Sequence, residues 1–402
     1  MSTVSAATTT TTTARLASPH AADLRALASG GGPQVSIYLP THSGPLPARQ
    51  DLQRLAQLAA RAEQLLLERY AADPETPEAL DGVSALSSLR GLVASLTSLP
   101  PRAAGVALFA ASDLSRAFKL HVSPREAVVV GEHFFLRPLL DSLHDDVRSY
   151  GLALSLNSVR LLDCDEQGAV RVVGGRVPAS LQDALGYTEF DTGVQMHSAN
   201  PRALGSRSAV VHGHGGRDSD GFDDDLRNFL HRVADGLRHL PDRLGRPIVV
   251  ASVREHFDLL AQVASDLDLL YADTGNADHL TDLEVGEFCQ GVAERALRLR
   301  HRQELAETLE GPGRGASNVL EEILPAADSG RVRTLFLARG AEIRGRYDAA
   351  RQSLERSDPS SPQEWDLLDV AARLTLERGG EIVTLGAADF PAGRVAVARH
   401  RY

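Results

Sequence analysis

Cysteine and lysine are almost missing from this chain of 402 residues. The two cysteines, Cys164 and Cys289, lie far apart in sequence and outside any CxxC or Cys/His metal-ligand spacing. A disulfide-stapled scaffold and a structural zinc site are therefore not expected. Lys119 is the only lysine, so arginine carries most of the positive charge. We attribute this bias to genomic base composition, and a single arginine is not taken as a chosen phosphate ligand.

Long apolar runs are missing as well. No stretch of about 18 apolar residues occurs, which predicts that no segment spans a membrane. Residues 1–15 contain six consecutive threonines and have neither a basic start nor an apolar stretch. We predict a disordered tail there rather than a signal peptide. Together with the low cysteine content, this favours a cytoplasmic protein.

Motifs for several common kinds of catalysis are absent too. The sequence has no GxSxG nucleophile elbow and no GxxxxGK phosphate-binding loop. Its only lysine lies on a predicted strand, so ATP or GTP hydrolysis by this chain is not expected. We assign no catalytic residue, no metal ligand and no cofactor from the sequence.

The charge balance is acidic, with a formal net charge of −11. The field of the whole protein repels nucleic acid, so DNA is not an expected partner, and any RNA contact needs a local patch of arginines. A hydrophobic fraction of 43% is ample for packed cores. At this length a single core is no longer expected, and two or three domains are predicted.

Patterns of strands and helices divide the chain into three blocks. Residues 16–145 are predicted to form an N-terminal α/β domain that opens with the strand 35–39. Residues 146–275 start with consecutive strands and a hairpin, followed by a helix, a buried strand and a second helix. Residues 278–402 alternate helices and strands as a small α/β/α sandwich. No internal repeat is visible.

The longest stretch without a regular pattern is residues 193–222, rich in Gly, His, Arg and Ser. A compact domain does not normally keep so long an irregular segment unless it binds something or moves. The acidic residues 223–225 that follow are predicted to cap a regular helix. Its apolar positions follow the i, i+3, i+4, i+7 rule and are Phe229, Leu230, Val233, Leu237 and Leu240.

The histidine- and glycine-rich motif at 212–216 has three interpretations that the sequence leaves open. It could hold a metal ion, with ligands drawn from His197, His212, His214, Asp218 and Asp220. Its glycines and the following helix could instead form a phosphate-binding nest, which the acidic residues 223–225 oppose. The third interpretation is an RNA-contacting tip, with arginines for charge and histidines for stacking. A surface loop without function is the plain alternative.

Two further motifs have both a structural and a functional interpretation. The segment 38–42 ends a strand and places Thr41 and His42 at a sheet edge, where ligands often bind, although a plain strand end is favoured. Residues 295–302 form a basic run late in a helix. That run stabilises the helix C-terminus, or it presents a face for RNA or protein. Trp365 is interpreted as a core residue on a helix.

An ordered series of segments resembles one known family. These segments are 35–40, 154–161, 212–216, 330–336 and 368–380, the last followed by 381–383 and a closing strand that ends at Arg401 and Tyr402. The series resembles the bacterial archaeo-eukaryotic release factor-like (peptide-chain release factor/Pelota-like) proteins. The resemblance covers nearly the whole chain from about residue 16.

The resemblance implies an α/β protein of three-domain release-factor/Pelota-like architecture. Its middle domain would be RNase H-like, and its C-terminal domain would resemble the kink-turn-binding ribosomal proteins. The loop 193–222 would enter the peptidyl-transferase centre from the ribosomal A site and contact rRNA. The third domain would meet a translational GTPase such as elongation factor Tu. The RNA-binding loop residues implied are Gln195, His197, Arg202, Arg207, His212, Gly213, His214, Gly215, Gly216 and Arg217.

Release factors carry Gly-Gly-Gln at the tip of this loop, and here Gln195 stands between Val194 and Met196. Three functions follow as hypotheses. The first, which we favour, is an A-site-binding factor acting in ribosome rescue or hibernation without stop-codon reading. The second is a peptidyl-tRNA hydrolase that uses Gln195 or a histidine to position water. The third is a non-ribosomal metal-dependent hydrolase or sensor.

Overall fold

The computed structural model describes twelve stretches of the chain. They are residues 16–42, 45–70, 76–100, 103–142, 147–165, 168–172, 176–186, 218–241, 246–310, 315–357, 365–391 and 393–401. The chain divides into two compact units, one of Met1–His144 with Arg300–Tyr402 and one of Asp145–Leu299. The first and last blocks of the sequence thus share a unit, and the division into three domains at 145/146 and 275/278 stays a prediction.

The N-terminal part of unit 1 is an antiparallel sheet covered by helices. Its elements are α1 (Ala21–Ala28), β1 (Gln34–Pro40), α2 (Pro45–Tyr70), α3 (Pro77–Ser95), β2 (Gly105–Ala110), β3 (Ser115–Leu120), β4 (Ala127–Gly131) and α4 (Arg137–Asp141). The strand order is β3-β2-β1-β4. Because β1 is central, both of its faces are buried: Ile37 packs towards α2 and α3, and Tyr38 towards the opposite core. The predicted strand 35–39 is confirmed.

Unit 2 is a mixed sheet with helices on both faces. Its elements are β5 (Ser149–Leu154), β6 (Val159–Asp165), β7 (Gly168–Arg171), α5 (Leu181–Leu185), α6 (Asp218–Arg238), β8 (Ile248–Ser252), α7 (Arg254–Val263), β9 (Leu269–Asp273) and the first part of α8 (Asp282–Glu310). The order is β7-β6-β5-β8-β9, in which β5, β8 and β9 are parallel and β6 and β7 run antiparallel to their neighbours. Residues of α5, α6 and α7 pack on one face, and α8 packs on the other.

The C-terminal part of unit 1 contains a second four-stranded sheet and a small three-stranded one. Its elements are β10 (Ala316–Ser317), α9 (Leu320–Asp328), β11 (Val332–Ala338), β12 (Arg344–Asp348), β13 (Ser353–Arg356), β14 (Trp365–Asp366), α10 (Leu367–Glu377), β15 (Glu381–Leu385) and β16 (Ala396–His400). The larger sheet has the order β10-β16-β11-β15. Helices α9 and α10 cover one of its faces, and Leu305 of α8 packs on the other.

Trp365 is not on the helix where the sequence placed it. It lies half-buried in β14, and Asp366 caps α10 by accepting a hydrogen bond from the backbone N–H of Leu368 at 3.1 Å. The helix therefore begins after Trp365 because a capping carboxylate stands between them. The indole packs on β4, where a Cβ on Gly131 would come within 2.2 Å of it.

The two parts of unit 1 are joined by a buried carboxylate. One oxygen of Asp369 accepts hydrogen bonds from the backbone N–H groups of Leu136 and Arg137, each at 2.7 Å. These groups begin α4 and have no partner within that helix, so Asp369 of α10 caps it from more than 230 residues away in sequence. The Arg137 guanidinium donates to Asp141 at 2.8 Å and to the carbonyl of Ala338.

Among the residues described, no helix combines the length and the apolar character needed to cross a bilayer.

Candidate functional site

The site predicted from the sequence lies outside the described residues, and so do the tail 1–15 and the motif 212–216. None of the ten predicted RNA-contacting residues is described; they are Gln195, His197, Arg202, Arg207, His212, Gly213, His214, Gly215, Gly216 and Arg217. Their role stays a prediction. The structure does describe the scaffold on either side of the segment 187–217.

Helix α6 holds the C-terminal side of this segment. Its predicted apolar face is confirmed: Phe229, Val233 and Leu237 are fully buried against β5 and β8, while Leu240 follows the helix and is partly buried. Burying three such side chains stabilises this packing by several kcal/mol, at about 1.5–3 kcal/mol each. The helix is thus held by its own unit through apolar contacts.

The predicted start of α6 is wrong. The helix begins at Asp218, so the acidic residues 223–225 lie beyond its first turn. Backbone N–H groups at those positions already have carbonyl partners one turn earlier, and only the first turn has free N–H groups. The interpretation of these aspartates as a cap is therefore wrong, and their side chains lie on the helix flank, with Asp223 and Asp224 exposed.

Helix α5 holds the N-terminal side. Ser180 caps it by accepting the N–H of Asp183 at 3.1 Å, and Gly186 ends it in the left-handed conformation with φ of 73°. A left-handed residue after the last turn is the common way for a helix to stop, and glycine takes it without strain. Ala184 of α5 lies in the same core as Leu226 of α6. Both sides of the segment are therefore fixed to one layer of unit 2.

Close packing strengthens this anchor. A Cβ added to Gly236 of α6 would lie 2.7 Å from the backbone nitrogen of Val177, in the stretch that leads into α5. At the end of α6, Arg238 donates to Asp266 at 2.8 Å and to Asp235 at 3.2 Å. The hydrogen bond to Asp266 is the main cause that raises the pKa of Arg238. Arg238 therefore has a structural role, since it links α6 to the segment that contains Asp266.

The carboxyl edge of the parallel strands in unit 2 has polar groups that satisfy one another. Ser155 donates to Asp278 at 2.5 Å, and Asp282 accepts from Arg160 at 2.6 Å and from Arg171 at 2.9 Å. The hydrogen bond from Arg171 is the largest of the interactions that lower the pKa of Asp282. Ligands often bind at such an edge. Here Ser155 bonds the carboxylate of Asp278, and within the described part of the chain no hydrogen bond joins it to a histidine.

At the strand end 38–42 the structure shows a hydrogen-bonded side-chain pair, His42 and Asp51, that the sequence pattern does not predict. The Nδ1 atom of exposed His42 lies 3.0 Å from Oδ1 of buried Asp51, and Arg54 also donates to Asp51 at 3.0 Å. Burial raises the pKa of Asp51, but the hydrogen bonds from His42 and Arg54 outweigh it and hold the pKa below its usual value. Nothing in the spacing of residues 42 and 51 indicates this contact. Thr41 donates instead to the carbonyl of Ala103 at 2.7 Å.

The basic run on α8 is partly neutralised by carboxylates. Arg298 lies 3.6 Å from Glu294, and Arg302 lies 2.8 Å from Asp389. These contacts favour the structural interpretation for those two arginines. The metal-site hypothesis rests on loop histidines outside the described residues; among the residues that are described, no three His, Cys, Asp or Glu side chains group as metal ligands.

The family resemblance is confirmed by a match to a family model. Residues 150–331, slightly less than half of the chain, match the bacterial archaeo-eukaryotic release factor family 3. The match encloses the segment 187–217 and both of its anchoring helices. No curated protein matches this chain in sequence.

Several solved structures align with this chain at low identity and low TM-score. The archaeal translation termination factor aRF1 is 14% identical with a TM-score of 0.23, and the alignment covers 95% of this chain and 97% of that one. Pelota of Archaeoglobus fulgidus is also 14% identical, with a TM-score of 0.34 and coverage of 73% and 79%. A model of ribosome-bound archaeal Pelota and ABCE1 gives 12% identity, a TM-score of 0.36 and coverage of 96% and 95%.

Proposed function

We propose, from the confirmed resemblance to the bacterial archaeo-eukaryotic release factor family, that this protein is a ribosome-directed translation factor. It binds the A site in ribosome rescue or hibernation without reading stop codons, and its segment 193–217 extends towards the peptidyl-transferase centre. The observation that carries the proposal is the family match over residues 150–331, which encloses that segment and its anchor.

The architecture of unit 2 supports an RNase H-like middle domain. Its first strand, β5, is central. On one side lie β6, which is antiparallel to β5, and then β7, and on the other side lie the parallel strands β8 and β9. Helices lie on both faces, as that fold requires. In the C-terminal part of unit 1, α9 and α10 lie on one face of the sheet and α8 on the other, which supports an α/β/α sandwich.

The charge distribution suits short-range contacts with RNA. A chain of net charge −11 gains nothing from long-range attraction to phosphate. Affinity would come from direct contacts by Arg202, Arg207 and Arg217, with histidines stacking on unpaired bases. Such contacts release counterions, so binding should weaken steeply as salt rises.

The chemistry of the segment favours occupation of the A site over ester hydrolysis. Hydrolysis needs a backbone N–H and a glutamine placed beside the ester carbonyl, and paired glycines give the backbone that freedom. Gln195 has Val194 and Met196 as neighbours instead. A segment that only occupies the A site needs a complementary shape, a suitable charge and a stable attachment to its own domain. Helices α5 and α6 supply that attachment.

A salt titration of ribosome binding tests the proposal. Wild type should co-sediment with ribosomes from stationary-phase cells at low salt, and R202Q/R207Q/R217Q should bind at least tenfold more weakly. The slope of log affinity against log salt should also fall by about 2 if three phosphate contacts of about 0.7 each are lost. The matched control is R25Q/R116Q/R351Q, which removes three exposed arginines elsewhere. Equal loss in both variants, or no ribosome binding by wild type in any growth phase, contradicts the proposal.

A translational GTPase such as elongation factor Tu is the proposed protein partner, engaged by residues 278–402. The support is the family resemblance alone. Tagged full-length protein should retain the GTPase from lysate after nuclease treatment, when ribosomes no longer bridge the two. Capture that disappears with the nuclease would show that the two proteins meet only through RNA.

A further inference from the structure

The two cysteines, distant in sequence, meet in unit 2. Cys164 lies on β6 and Cys289 on α8, and both belong to the core between the sheet and that helix. A Cβ added to Gly151 would lie 2.9 Å from the sulfur of Cys289 and 3.1 Å from that of Cys164. These distances bound the separation of the two sulfurs at about 6 Å, and the thiol of Cys289 donates to the carbonyl of Val249 at 3.7 Å. Their spacing in the sequence gives no sign of this contact, and both are free cysteines in the structure.

Two glycines allow this meeting because they let α8 approach the sheet closely. Gly286, one turn before Cys289, faces Ala169 of β7, and a Cβ on this glycine would fall 2.4 Å from that of Ala169. Ala169 is the register partner of Cys164. Gly151 then leaves the space that the two sulfurs fill. The close packing of α8 on the sheet thus brings the two thiols together.

The surroundings give the two thiols different roles. The thiol of Cys289 donates its proton in a hydrogen bond to the carbonyl of Val249, which favours its protonated form. The neighbouring Cys289 is the main cause that lowers the pKa of Cys164, and the neighbouring Cys164 is the main cause that raises the pKa of Cys289. A thiolate is the nucleophile in sulfur chemistry. Cys164 is therefore placed to attack and Cys289 to follow.

We propose that Cys164 and Cys289 form a redox site that hydrogen peroxide converts to a disulfide, fastening α8 to β6. The Cys164 thiolate attacks one peroxide oxygen, the O–O bond breaks, and hydroxide leaves and is protonated to water. The sulfur of Cys289 then attacks the resulting sulfenic acid, the S–O bond breaks, and the hydroxide takes the Cys289 proton as a second water. The two sulfurs lose the two electrons that the peroxide gains.

Burial sets the rate of this reaction. The side chains are 1% and 0% exposed for Cys164 and Cys289, so peroxide reaches them only when α8 opens locally from the sheet. Oxidation should be slow in buffer and faster in urea below the unfolding transition. Once formed, the disulfide closes a long stretch of chain and removes freedom from the unfolded state, so oxidised protein should unfold at higher urea.

The test uses the full-length protein treated with hydrogen peroxide in buffer and in urea below the transition. We expect a mass loss of about two hydrogens and a non-reducing peptide map that links the Cys164 and Cys289 peptides. Formation should proceed at the same rate over a tenfold dilution, as an intramolecular step must. The urea midpoint of the oxidised protein should rise and return to its first value after reduction.

Controls separate this site from general oxidation. C289S keeps a small polar side chain, and in it Cys164 should take up oxygen without a crosslink. Oxidation of Met196 serves as an internal dose marker, since it needs no partner. Three results would overturn the proposal: a link that forms only above the unfolding transition, one that joins two chains, or an oxidised protein whose urea midpoint is no higher. None of these results depends on ribosome binding.

Discussion

Two buried joints in this protein hold sequence-distant segments together by different means. In unit 1, α4 and α10 share an apolar core and add a polar contact, Asp369, whose oxygen accepts two backbone N–H groups at 2.7 Å. In unit 2, α8 meets the sheet through apolar packing, two thiols and close approach at Gly151 and Gly286. Both joints exclude water to a similar degree. The stability of the polar joint should depend on pH. The stability of the apolar joint should depend on side-chain size and on oxidation of its thiols.

The shifted carboxylates of the described residues have raised or lowered pKa values according to their surroundings. Burial raises the pKa of Asp369 to about 7, with the neighbouring charge of Asp366 as the next cause. Burial also raises the pKa of Asp366 to about 6. Asp282 and Glu284 of unit 2, like Asp51 of unit 1, have lowered pKa values because hydrogen bonds favour their charged forms. Burial dominates at the polar joint of unit 1, and hydrogen bonding outweighs burial at these three other carboxylates.

The largest expected effect comes from removing the polar joint. Asp369→Ala leaves the N–H groups of Leu136 and Arg137 buried without an acceptor, at about 1–3 kcal/mol for each group. We expect a loss of about 2–5 kcal/mol in the free energy of unfolding, measured by urea denaturation. Asp369→Asn keeps an acceptor oxygen and should lose less than half as much. Equal losses would show that the charge, and not the acceptor, holds the joint.

Filling the apolar joint should cost less. Gly151→Ala places a methyl group against both sulfurs, and overpacking of this kind costs about 1–3 kcal/mol. The second substitution Cys289→Ala removes one of the clashing atoms, so the double variant should be more stable than the sum of the two single losses. Gly91→Ala is the control, because a Cβ there meets nothing within 4 Å. It should stabilise α3 by about 0.5–1 kcal/mol.

The pH dependence of stability distinguishes the polar joint from the apolar one. Because the folded pKa of Asp369 lies above its unfolded value, the folded state binds the proton more tightly. The contribution of this proton binding by Asp369 to the free energy of unfolding is complete below about pH 4 and is lost as the pH rises towards about 7. The stability advantage of wild type over Asp369→Asn should therefore shrink by about 1–2 kcal/mol between pH 5 and 7.5. Taking the difference cancels the effect of the partly buried His133, His256 and His400, whose lowered pKa values act in the opposite direction. An advantage that grows with pH would contradict the assigned direction.

The smallest effect is expected at the exposed edge of unit 1. Asp51→Asn weakens the contacts with His42 and Arg54, which are worth about 1 kcal/mol. Because the pKa of Asp51 is lowered, this stability is present at neutral pH and is lost as the pH falls through its folded pKa. The difference between wild type and variant should thus vanish in acid, the reverse of the trend at Asp369. A flat difference down to pH 2 would show that packing alone accounts for it.

Local patterns in the sequence were sufficient for the elements that bury a regular face. The apolar positions of α6 are confirmed because burial of one face imposes a period of 3.6, and the strand β1 is confirmed because burial of both faces makes it a nearly continuous apolar run. The hairpin of β12 and β13 was missed, since Arg346 and Glu355 face each other where apolar alternation would be expected. The start of α6 was placed too late because aspartates resemble a cap wherever they occur near a helix.

Contacts between distant segments could not be predicted. No local pattern indicates that Asp369 caps α4 or that Asp51 holds His42, because such pairs depend on how sheets and helices stack. The thiol pair is of the same kind, although Gly151 in a buried strand is a signal that something approaches closely. The residues of the predicted loop remain a hypothesis drawn from resemblance, to be decided by ribosome binding.

The cap of α4 also sets an order of events during synthesis. Leu136 and Arg137 leave the ribosome more than 230 residues before the Asp369 that satisfies them. At about 5–20 residues per second the wait is roughly 10–50 s. Unit 2 is complete in the chain during that interval, so it can fold first while the amino-terminal sheet still lacks its partner. A released chain truncated near residue 310 should then contain a protease-resistant unit 2 and an unfinished unit 1.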